Sequence, residues 1–215
     1  MRIAILSDPP DLSAYVGEIL KAWGLLPFEA VTPEALPHLD PEDIPVLICP
    51  APRSSGGSEE RVVDYARRGG TVVAPLPGPK LLNSVGLQAT GEKEGPLRLR
   101  VTDLPVPGLE GELLPVVGPA RNYEPQEGVR ILAYLSHTDR FEGETVGITE
   151  SVLGRGRIVV LAFDLPLCVL LLRQGDPDRA EVLPETDTCA RPSHLATDIG
   201  PQDSGWVPFA DQLAL

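Results

Sequence analysis

The sequence predicts an α/β protein built on a doubly wound, mainly parallel sheet, and two apolar segments carry most of that prediction. Residues 46–49 (VLIC) and 71–74 (TVVA) lack the regular polar alternation of a half-exposed strand, as expected of strands buried on both faces. A helical segment separates them and ends at Gly69 and Gly70, because glycine readily takes the left-handed conformation that follows a helix. Strands joined in this way are nearly always parallel, with a right-handed crossover.

The helix between these two strands has its own start and its own buried face. Ser58 is a suitable N-terminal cap, and the acidic residues after it favour the positive end of the helix dipole. Asp64 and Arg68 lie one turn apart, on the side predicted to face solvent. The residues predicted to face the sheet are Val62, Val63 and Ala66.

The N-terminal part repeats the alternation of strand and helix. Residues 2–6 form a strand, and an amphipathic stripe that closes at Gly24 marks the next helix. That stripe comprises Leu12, Tyr15, Val16, Ile19, Leu20 and Trp23. The other elements expected here are a strand at 27–31, a helix start at Thr32 and Pro33 with a second such signal at 40–43, and a short helix at 79–85.

The pattern changes near Gly91. Residues 97–102 (LRLRVT) alternate strictly, which is typical of an antiparallel strand with one solvated face. Further strands are expected at 112–117, 129–135 and 144–153, then an apolar strand at 157–163 and a short helix at 165–173. We therefore predict an α/β domain at 1–91 plus 154–175, a β-rich insertion at 92–153, and an extended C-terminal arm at 176–215.

Composition excludes several classes of partner. A net charge of −13 over 215 residues, without a basic stripe, argues against binding to nucleic acid or an anionic membrane. The three Cys form no CxxC pair, no cleavable signal begins the chain, and no apolar run is long enough to span a membrane, so we expect a cytoplasmic, reduced protein. The 24 Pro and single Met are typical of a heat-adapted source.

The C-terminal arm combines acidic and Pro-rich composition with apolar anchors. Composition alone would indicate disorder, but Trp206 and Phe209 are side chains that a free tail does not need. We expect the arm to dock on its own body or on a second subunit. The prediction is a homodimer through this arm, with a symmetric contact at those two aromatic residues.

The order of elements resembles the class I glutamine amidotransferase-like group of flavodoxin-like folds, and most of all its non-catalytic, trehalose-utilisation-type or β-galactosidase-associated branches. The resemblance rests on "VLICPAP…SEERVVDYARRGGTVVAP…LLNSVGL" and on "GRGRIVVLAFDLP". Active members carry a Cys on the turn after the strand at 71–74, and a His two residues before a Glu after the last strand. Here that turn is 75–78 (PLPG), and Asp164 stands where the His belongs, so the resemblance implies a scaffold without triad chemistry.

Ligands of open parallel sheets bind beyond the carboxyl ends of the strands, where the strand order reverses. The candidate ligand-binding residues at that place are Asp8, Arg53, Ser54, Ser55, Gly56 and Asp164. The loop has backbone N–H groups near a helix N-terminus, and Arg53 could hold an anion, so an anion or sugar site is one interpretation. A solvent-exposed loop with good capping residues is the other.

Other reactive side chains have simpler interpretations. Cys49 ends a core strand and is a nucleophile candidate, but no His is placed to activate it, and a buried structural thiol explains it as well. The 137–140 segment (HTDR) suits either an acid/base pair or a hairpin turn. Asp187, Cys189 and His194 match no standard zinc spacing. We expect no catalytic residue, no metal and no cofactor.

Three functional hypotheses remain. The first is a non-catalytic module that supports assembly or binds a small ligand, for which the resemblance suggests carbohydrate. The second is a hydrolase that uses the crevice with Asp8, Arg53 and Asp164, which requires a deep pocket and a perturbed carboxylate. The third is an accessory module for a separate catalytic partner.

Overall fold

The computed structural model describes residues 2–8, 12–50, 58–94, 96–103, 113–137 and 144–174. The strands are β1 (Ile3–Leu6), β2 (Phe28–Val31), β3 (Val46–Ile48), β4 (Thr71–Pro75), β5 (Leu87–Glu94), β6 (Leu97–Val101), β7 (Leu113–Val116), β8 (Pro119–Pro125), β9 (Arg130–Ser136), β10 (Thr145–Leu153) and β11 (Gly156–Leu161). The helices are α1 (Ser13–Ala22), α2 (Ser58–Arg67), α3 (Pro79–Ser84) and α4 (Leu165–Gln174), with a 3₁₀ turn at Leu36–His38. The predicted arm at 176–215 lies outside the described residues.

One large mixed sheet organises the described part of the chain. Its nine strands run in the order β2-β1-β3-β4-β11-β10-β9-β6-β7, and β5 pairs with β8 in a second, two-stranded sheet. The neighbours from β2 to β11 are parallel, and those from β11 to β7 are antiparallel. The protein is therefore α/β, as predicted, but in the described strands the sheet is mixed rather than mainly parallel.

The predicted β-rich insertion accounts for the mixed character of the sheet. β10, β9, β6 and β7 were expected as strands, and they continue the edge of the parallel strands through the β10–β11 pairing. Their buried side chains join the same core cluster as those of the parallel strands, for example Leu99 and Leu135 with Leu47 and Ile158. The boundaries of an insertion at 92–153 stay a prediction.

Helices cover β1 on both faces because successive side chains of a strand point to opposite sides. Ala4 and Leu6 belong to the main core cluster, which includes the buried side chains of α2. Ile3 and Ile5 form a smaller cluster with Val16 and Leu20 of α1.

The buried face of α2 is as predicted, with one addition. Val62, Val63 and Ala66 are buried, and so is Tyr65, whose hydroxyl donates a hydrogen bond to the Ile44 carbonyl. The solvent-facing pair is also confirmed, since Arg68 Nε lies 3.2 Å from Asp64 Oδ2. That guanidinium additionally donates to two backbone carbonyls, those of Leu36 and Leu39, at 2.8 and 2.6 Å.

Two sequence predictions before β3 are wrong in detail. The helix expected from Thr32 and Pro33 is only the 3₁₀ turn Leu36–His38, and residues 41–43 form a turn rather than a helix. Proline has no N–H to donate, and Pro37 and Pro41 lie too close together for a longer helical run between them. Ile44 N instead donates to Asp40 O at 2.9 Å, which closes the turn directly before β3.

The strand β8 was not predicted, and it decides what lies over the carboxyl ends of the parallel strands. Its Arg121 N donates to Ala162 O at 2.8 Å, directly after β11, and Ala120 forms an isolated antiparallel bridge with Phe163. Asp164 N in turn donates to Pro119 O at 3.3 Å. The β5–β8 pair is therefore attached to this edge of the sheet.

Candidate functional site

The carboxyl ends of β1, β3, β4 and β11 meet at one edge because these strands are parallel neighbours. Two backbone hydrogen bonds continue the pairing beyond the strand ends. Cys49 N donates to Val73 O at 2.8 Å, and Leu76 N donates to Leu161 O at 2.9 Å. The residues that follow these strands are thus held on a rigid frame, which is what a binding site requires.

A pocket lies at this edge, between the strand ends and the starts of α2 and α3. It is a small depression open to solvent, with a cavity volume of about 40 Å³. Most of its surface is apolar. Its lining residues are Leu6, Cys49, Pro50, Ser58, Glu59, Val62, Ala74, Pro75, Pro77, Gly78 and Leu81.

The pocket lies at the point where the strand order reverses. β2 lies on one side of β1 and β3 on the other, so the carboxyl ends of β1 and β3 diverge into crossovers on opposite sides. Leu6, at the end of β1, and Cys49 and Pro50, just after β3, all contribute to the pocket wall. The sequence also predicts a site at this place, but neither Asp8 nor Asp164 is among the residues that line the pocket, and the predicted ligand site stays a prediction.

The thiol of Cys49 is held in its protonated form. The residue is buried, and burial raises the pKa of the Cys49 thiol to about 12. Only a thiolate is a strong nucleophile. At neutral pH Cys49 therefore behaves as an apolar wall of the pocket, which agrees with its interpretation as a structural thiol.

The turn after β4 carries a leucine in an uncommon conformation. Leu76 has a φ of 41°, which is rare for a residue with a side chain, and its side chain is buried between Pro75 and Pro77. Such a residue stores strain of the order of 1–3 kcal/mol, and residues of this kind cluster at functional sites. Here the residue in this conformation has a hydrocarbon side chain, which cannot act as nucleophile, acid or base.

Asp164 has a structural role in addition to its predicted position near the crevice. Its carboxylate Oδ1 accepts a hydrogen bond from Leu167 N at 3.1 Å, and its carbonyl accepts one from Cys168 N at 2.8 Å. This is the arrangement of an N-terminal cap, here on α4. Asp164 is 6% exposed. Whether it also binds a ligand stays a prediction.

The other predicted site residues are only partly described. Asp8 lies two residues after the end of β1 and is exposed. Arg53, Ser54, Ser55 and Gly56 lie outside the described residues, so the predicted juxtaposition of that loop with Asp8 stays a prediction.

An interlock between α2 and α3 forms one wall of the pocket and was not predicted. Glu59 Oε2 accepts a hydrogen bond from Leu81 N at 3.0 Å, which satisfies a free N–H in the first turn of α3. A Cβ atom on Gly78 would lie 1.8 Å from Glu59 Oε1, so only glycine allows the carboxylate to come this close. The signal in the sequence was Gly78 followed by Pro79, which marks the helix start but not its partner.

Arg121 is the second residue that the sequence did not reveal. It lies half-buried on β8, and its Nη1 is 3.5 Å from the carbonyl oxygen of Pro77. The sequence does not predict a strand here because the segment begins and ends with proline, at Pro119 and Pro125, and contains several polar residues.

The part of the chain that the structure describes contains no group of three or more His, Cys, Asp or Glu side chains that could hold a metal ion. Among the same residues, no helix is long and apolar enough to cross a membrane.

Comparison with known proteins identifies the fold alone. No family model and no curated protein matches the chain in sequence. A β-galactosidase from Bacillus circulans is similar over 75% of this chain and 28% of its own, at 18% identity and a TM-score of 0.59. An exo-β-1,4-mannosidase from an Opitutaceae bacterium is similar over 78% and 32%, at 12% identity and a TM-score of 0.58.

A third similar structure is close to this chain in length. It is a cytoplasmic protein from Salmonella typhimurium, with 99% of this chain and 95% of that one covered, 8% identity and a TM-score of 0.55. The chain thus spans less than a third of the glycosidases to which it is similar and nearly all of the Salmonella protein. At these identities, what the chain shares with all three is an α/β fold.

Proposed function

We propose that this protein is a non-catalytic, amidotransferase-like module that binds a small carbohydrate-related ligand at the pocket and works beside a separate catalytic partner. The observation that carries the proposal is the turn after β4. Its strained backbone holds Leu76 where the resemblance to amidotransferases would put a nucleophile. A turn of this shape with a buried hydrocarbon side chain supports a scaffold that shapes a pocket without reacting in it.

The order of the parallel strands supports the architecture in this proposal. β2-β1-β3-β4-β11 is the order 2-1-3-4-5 of flavodoxin-like sheets, counted along the parallel strands. Such sheets bind ligands at the switch point, where the pocket lies. Other polar groups at this edge have structural roles: Asp164 caps α4, and Glu59 caps α3.

The ligand class is inferred from the similar structures. Two of them are named as a β-galactosidase and a mannosidase, and the matching region is about 28–32% of each chain. A region of that size is a module within a larger enzyme, which supports an accessory role for the present chain. We further propose a homodimer through residues 176–215, and ligand contacts from Asp8 and the loop at 53–56.

Titration calorimetry with galactose, mannose and their disaccharides tests the proposal. We expect saturable binding of at least one sugar. Ser58→Trp should fill the pocket and weaken that binding about tenfold or more, a loss of about 1.4 kcal/mol. Glu60→Trp is the matched control, because Glu60 is exposed two residues further along α2 and is not part of the pocket lining.

Two results would contradict the proposal. Absence of saturable binding to every sugar would remove the ligand-binding part. Hydrolysis of an aryl glycoside that persists through repurification and disappears in Glu59→Gln would remove the non-catalytic part, since Glu59 is the carboxylate in the pocket lining.

A further inference from the structure

Arg121 has no acidic partner among the described residues, although the protein is strongly acidic. The chain carries a net charge of −13, and the arginines of the large sheet are typically paired, with Arg100 2.7 Å from Glu144 and Arg130 2.8 Å from Glu150. Among the described residues Arg121 has no such pair. Its hydrogen bond to Pro77 O is long, at 3.5 Å, and the neighbouring Tyr123 hydroxyl is the other group it contacts, so most of its five N–H groups have no acceptor among the described residues.

The acidic residue that lies opposite Arg121 in the strand pairing does not form an ion pair with it. Glu92 lies opposite Arg121 in the β5–β8 register, which puts the two side chains on the same face. The two side chains nevertheless form no ion pair, and Glu92 is exposed. In the described part of the chain, no carboxylate therefore compensates the positive charge of the Arg121 guanidinium.

Tyr123, two residues further along β8, provides a second observation. The residue is 4% exposed, and its buried hydroxyl neighbours the Arg121 guanidinium but has no acceptor for its own proton among the described residues. Burial raises the pKa of Tyr123 to about 12, and the charge and the hydrogen bond of the Arg121 guanidinium oppose that rise. A buried hydroxyl that donates to no acceptor costs about 1–3 kcal/mol, and in a native protein such a group calls for an explanation, of which a bound ligand is one.

The location of these two residues connects them with the pocket. Alternate residues of a strand share a face, so Arg121 and Tyr123 point to the same side of β8. The backbone of Arg121 is fixed to the end of β11 through Ala162 O, and its side chain reaches the Pro77 carbonyl. Pro77 itself lines the pocket. The turn after β4 is thus shared between the pocket and Arg121.

We propose that Arg121 and Tyr123 bind an anionic group, the carboxylate or phosphate of a small molecule whose uncharged part occupies the adjacent pocket. A guanidinium binds either group through two parallel hydrogen bonds, and the tyrosine hydroxyl donates a third. When the anion binds, Arg121 gives up its long contact with Pro77 O. The Tyr123 hydroxyl then donates its hydrogen bond to the same anion. The preferred ligand is then a sugar acid or a sugar phosphate, and its neutral counterpart binds more weakly through the pocket alone.

The anionic group is inferred from β8, and its sugar character rests on the proposed function. Titration calorimetry at constant ionic strength compares galacturonate and glucose 6-phosphate with galactose and glucose, and inorganic phosphate with acetate. We expect one charged sugar to bind at least about tenfold more tightly than its neutral counterpart. Arg121→Gln should abolish that difference, a loss of about 10- to 100-fold, because hydrogen bonds to charged groups are the strongest of the set.

The controls separate a lost site from a lost fold. Arg61→Gln removes the same charge from an exposed position on α2 and should leave the affinity unchanged. Tyr123→Phe keeps the buried ring and should weaken anion binding about tenfold while leaving thermal stability equal or higher, because it removes an unpaired buried hydroxyl. Preference for inorganic phosphate over acetate assigns a phosphate, and the reverse preference assigns a carboxylate.

Failure of this inference is distinguishable from failure of the proposed function. Equal affinity for charged and neutral sugars, with no effect of Arg121→Gln, overturns the anion site, while loss of binding in Ser58→Trp still supports the pocket. Anion binding that depends on Arg121 but not on Ser58→Trp supports the anion site and overturns the pocket as the place of the uncharged part. If no anion binds, the inference is wrong.

Discussion

The parallel and antiparallel halves of the large sheet share one core, but they differ in the polarity of their half-buried side chains. In the parallel half, the half-buried residues of β4 and β11 include Val73 and Val159, which still pack against the core. In the antiparallel half, the equivalent positions of β6 include Arg98 and Arg100. The central parallel strands β4 and β11 therefore have apolar side chains on both faces, whereas β6 has charged, half-buried side chains on one face.

This difference predicts where the fold tolerates substitutions that add side-chain volume. Enclosure on both faces brings backbone against backbone, as where Gly156 at the start of β11 packs on the end of α2 and on Gly70. The solvated face of the antiparallel half is held instead by long charged side chains, which can move aside. The two halves should thus respond very differently to mutations of similar size.

The largest expected effect is that of Gly156→Ala. The new Cβ would lie 2.2 Å from Gly70 O and 2.3 Å from Ala66 O, and backbone atoms cannot rotate away as side chains can. We expect a loss of about 3 kcal/mol in the free energy of unfolding, measured by urea denaturation.

Two matched variants locate the origin of that loss. At Gly147 of β10 the closest atom is a side-chain methyl of Leu99 at 2.8 Å, so Gly147→Ala should cost about 1 kcal/mol. Gly91→Ala, with nothing closer than 3.5 Å, should be nearly neutral. Equal losses at Gly156 and Gly147 would show that the two halves are equally rigid.

A medium effect is expected at alkaline pH from Cys49, the thiol of the parallel half. Its pKa is raised to about 12 by burial, from 9.0, so the folded state retains a proton that the unfolded state loses. The stabilisation is complete below about pH 9 and should fall by about 1.4 kcal/mol per pH unit above it, until the folded thiol titrates.

Urea denaturation between neutral and about pH 10 measures this slope. Cys49→Ala should reduce the slope, whatever its effect on stability at neutral pH. Val62→Ala also removes buried volume from the pocket wall but no titratable group, and it should keep the slope of the parent protein. The same slope in Cys49→Ala and the parent would rule out Cys49 as its source.

The smallest effect should come from Glu150, the central acid of the antiparallel half. Its side chain lies 2.8 Å from Arg130 Nη1 and 2.9 Å from Arg157 Nη1, and both arginines are exposed by more than half. Glu150→Gln should lose less than about 1 kcal/mol in unfolding free energy at low salt.

Salt provides the test of that explanation. The difference between Glu150→Gln and the parent should shrink at about 1 M NaCl, because the charges of the two exposed arginines are screened there, but part of it should remain because the Glu150 side chain is only 13% exposed. Glu144→Gln, which removes a single ion pair with Arg100 at 2.7 Å, should show a smaller effect with the same salt dependence. A large loss that persists at high salt would mean that the antiparallel half depends on buried charge.

Local patterns were read correctly wherever the signal was continuous along the chain. The helices Ser13–Ala22 and Ser58–Arg67 lie within one or two residues of the predicted segments, because an amphipathic stripe specifies both type and buried face. The burial of Tyr65 was not foreseen. Its hydroxyl is satisfied by the Ile44 carbonyl, 21 residues away, which no local pattern reveals.

The carboxyl ends of the parallel strands could be located from the sequence, but the residues that line the pocket there could not. The alternation of strands and helices predicts that edge of the sheet, and the pocket lies at it. Glu59 and Arg121 were missed because their roles depend on contacts with Gly78 and Pro77, which the chain brings together only on folding.

The sequence by itself determined most of the strand and helix segments, the buried face of α2 and the lack of a Cys, Ser or Thr in the turn after β4. Only the tertiary structure decided that β11 lies between β4 and β10, and that β8 carries Arg121 to Pro77, 44 residues away along the chain. The physical reason is that periodicity and capping act between near neighbours. The pairing of distant strands depends on how all the apolar faces pack at once.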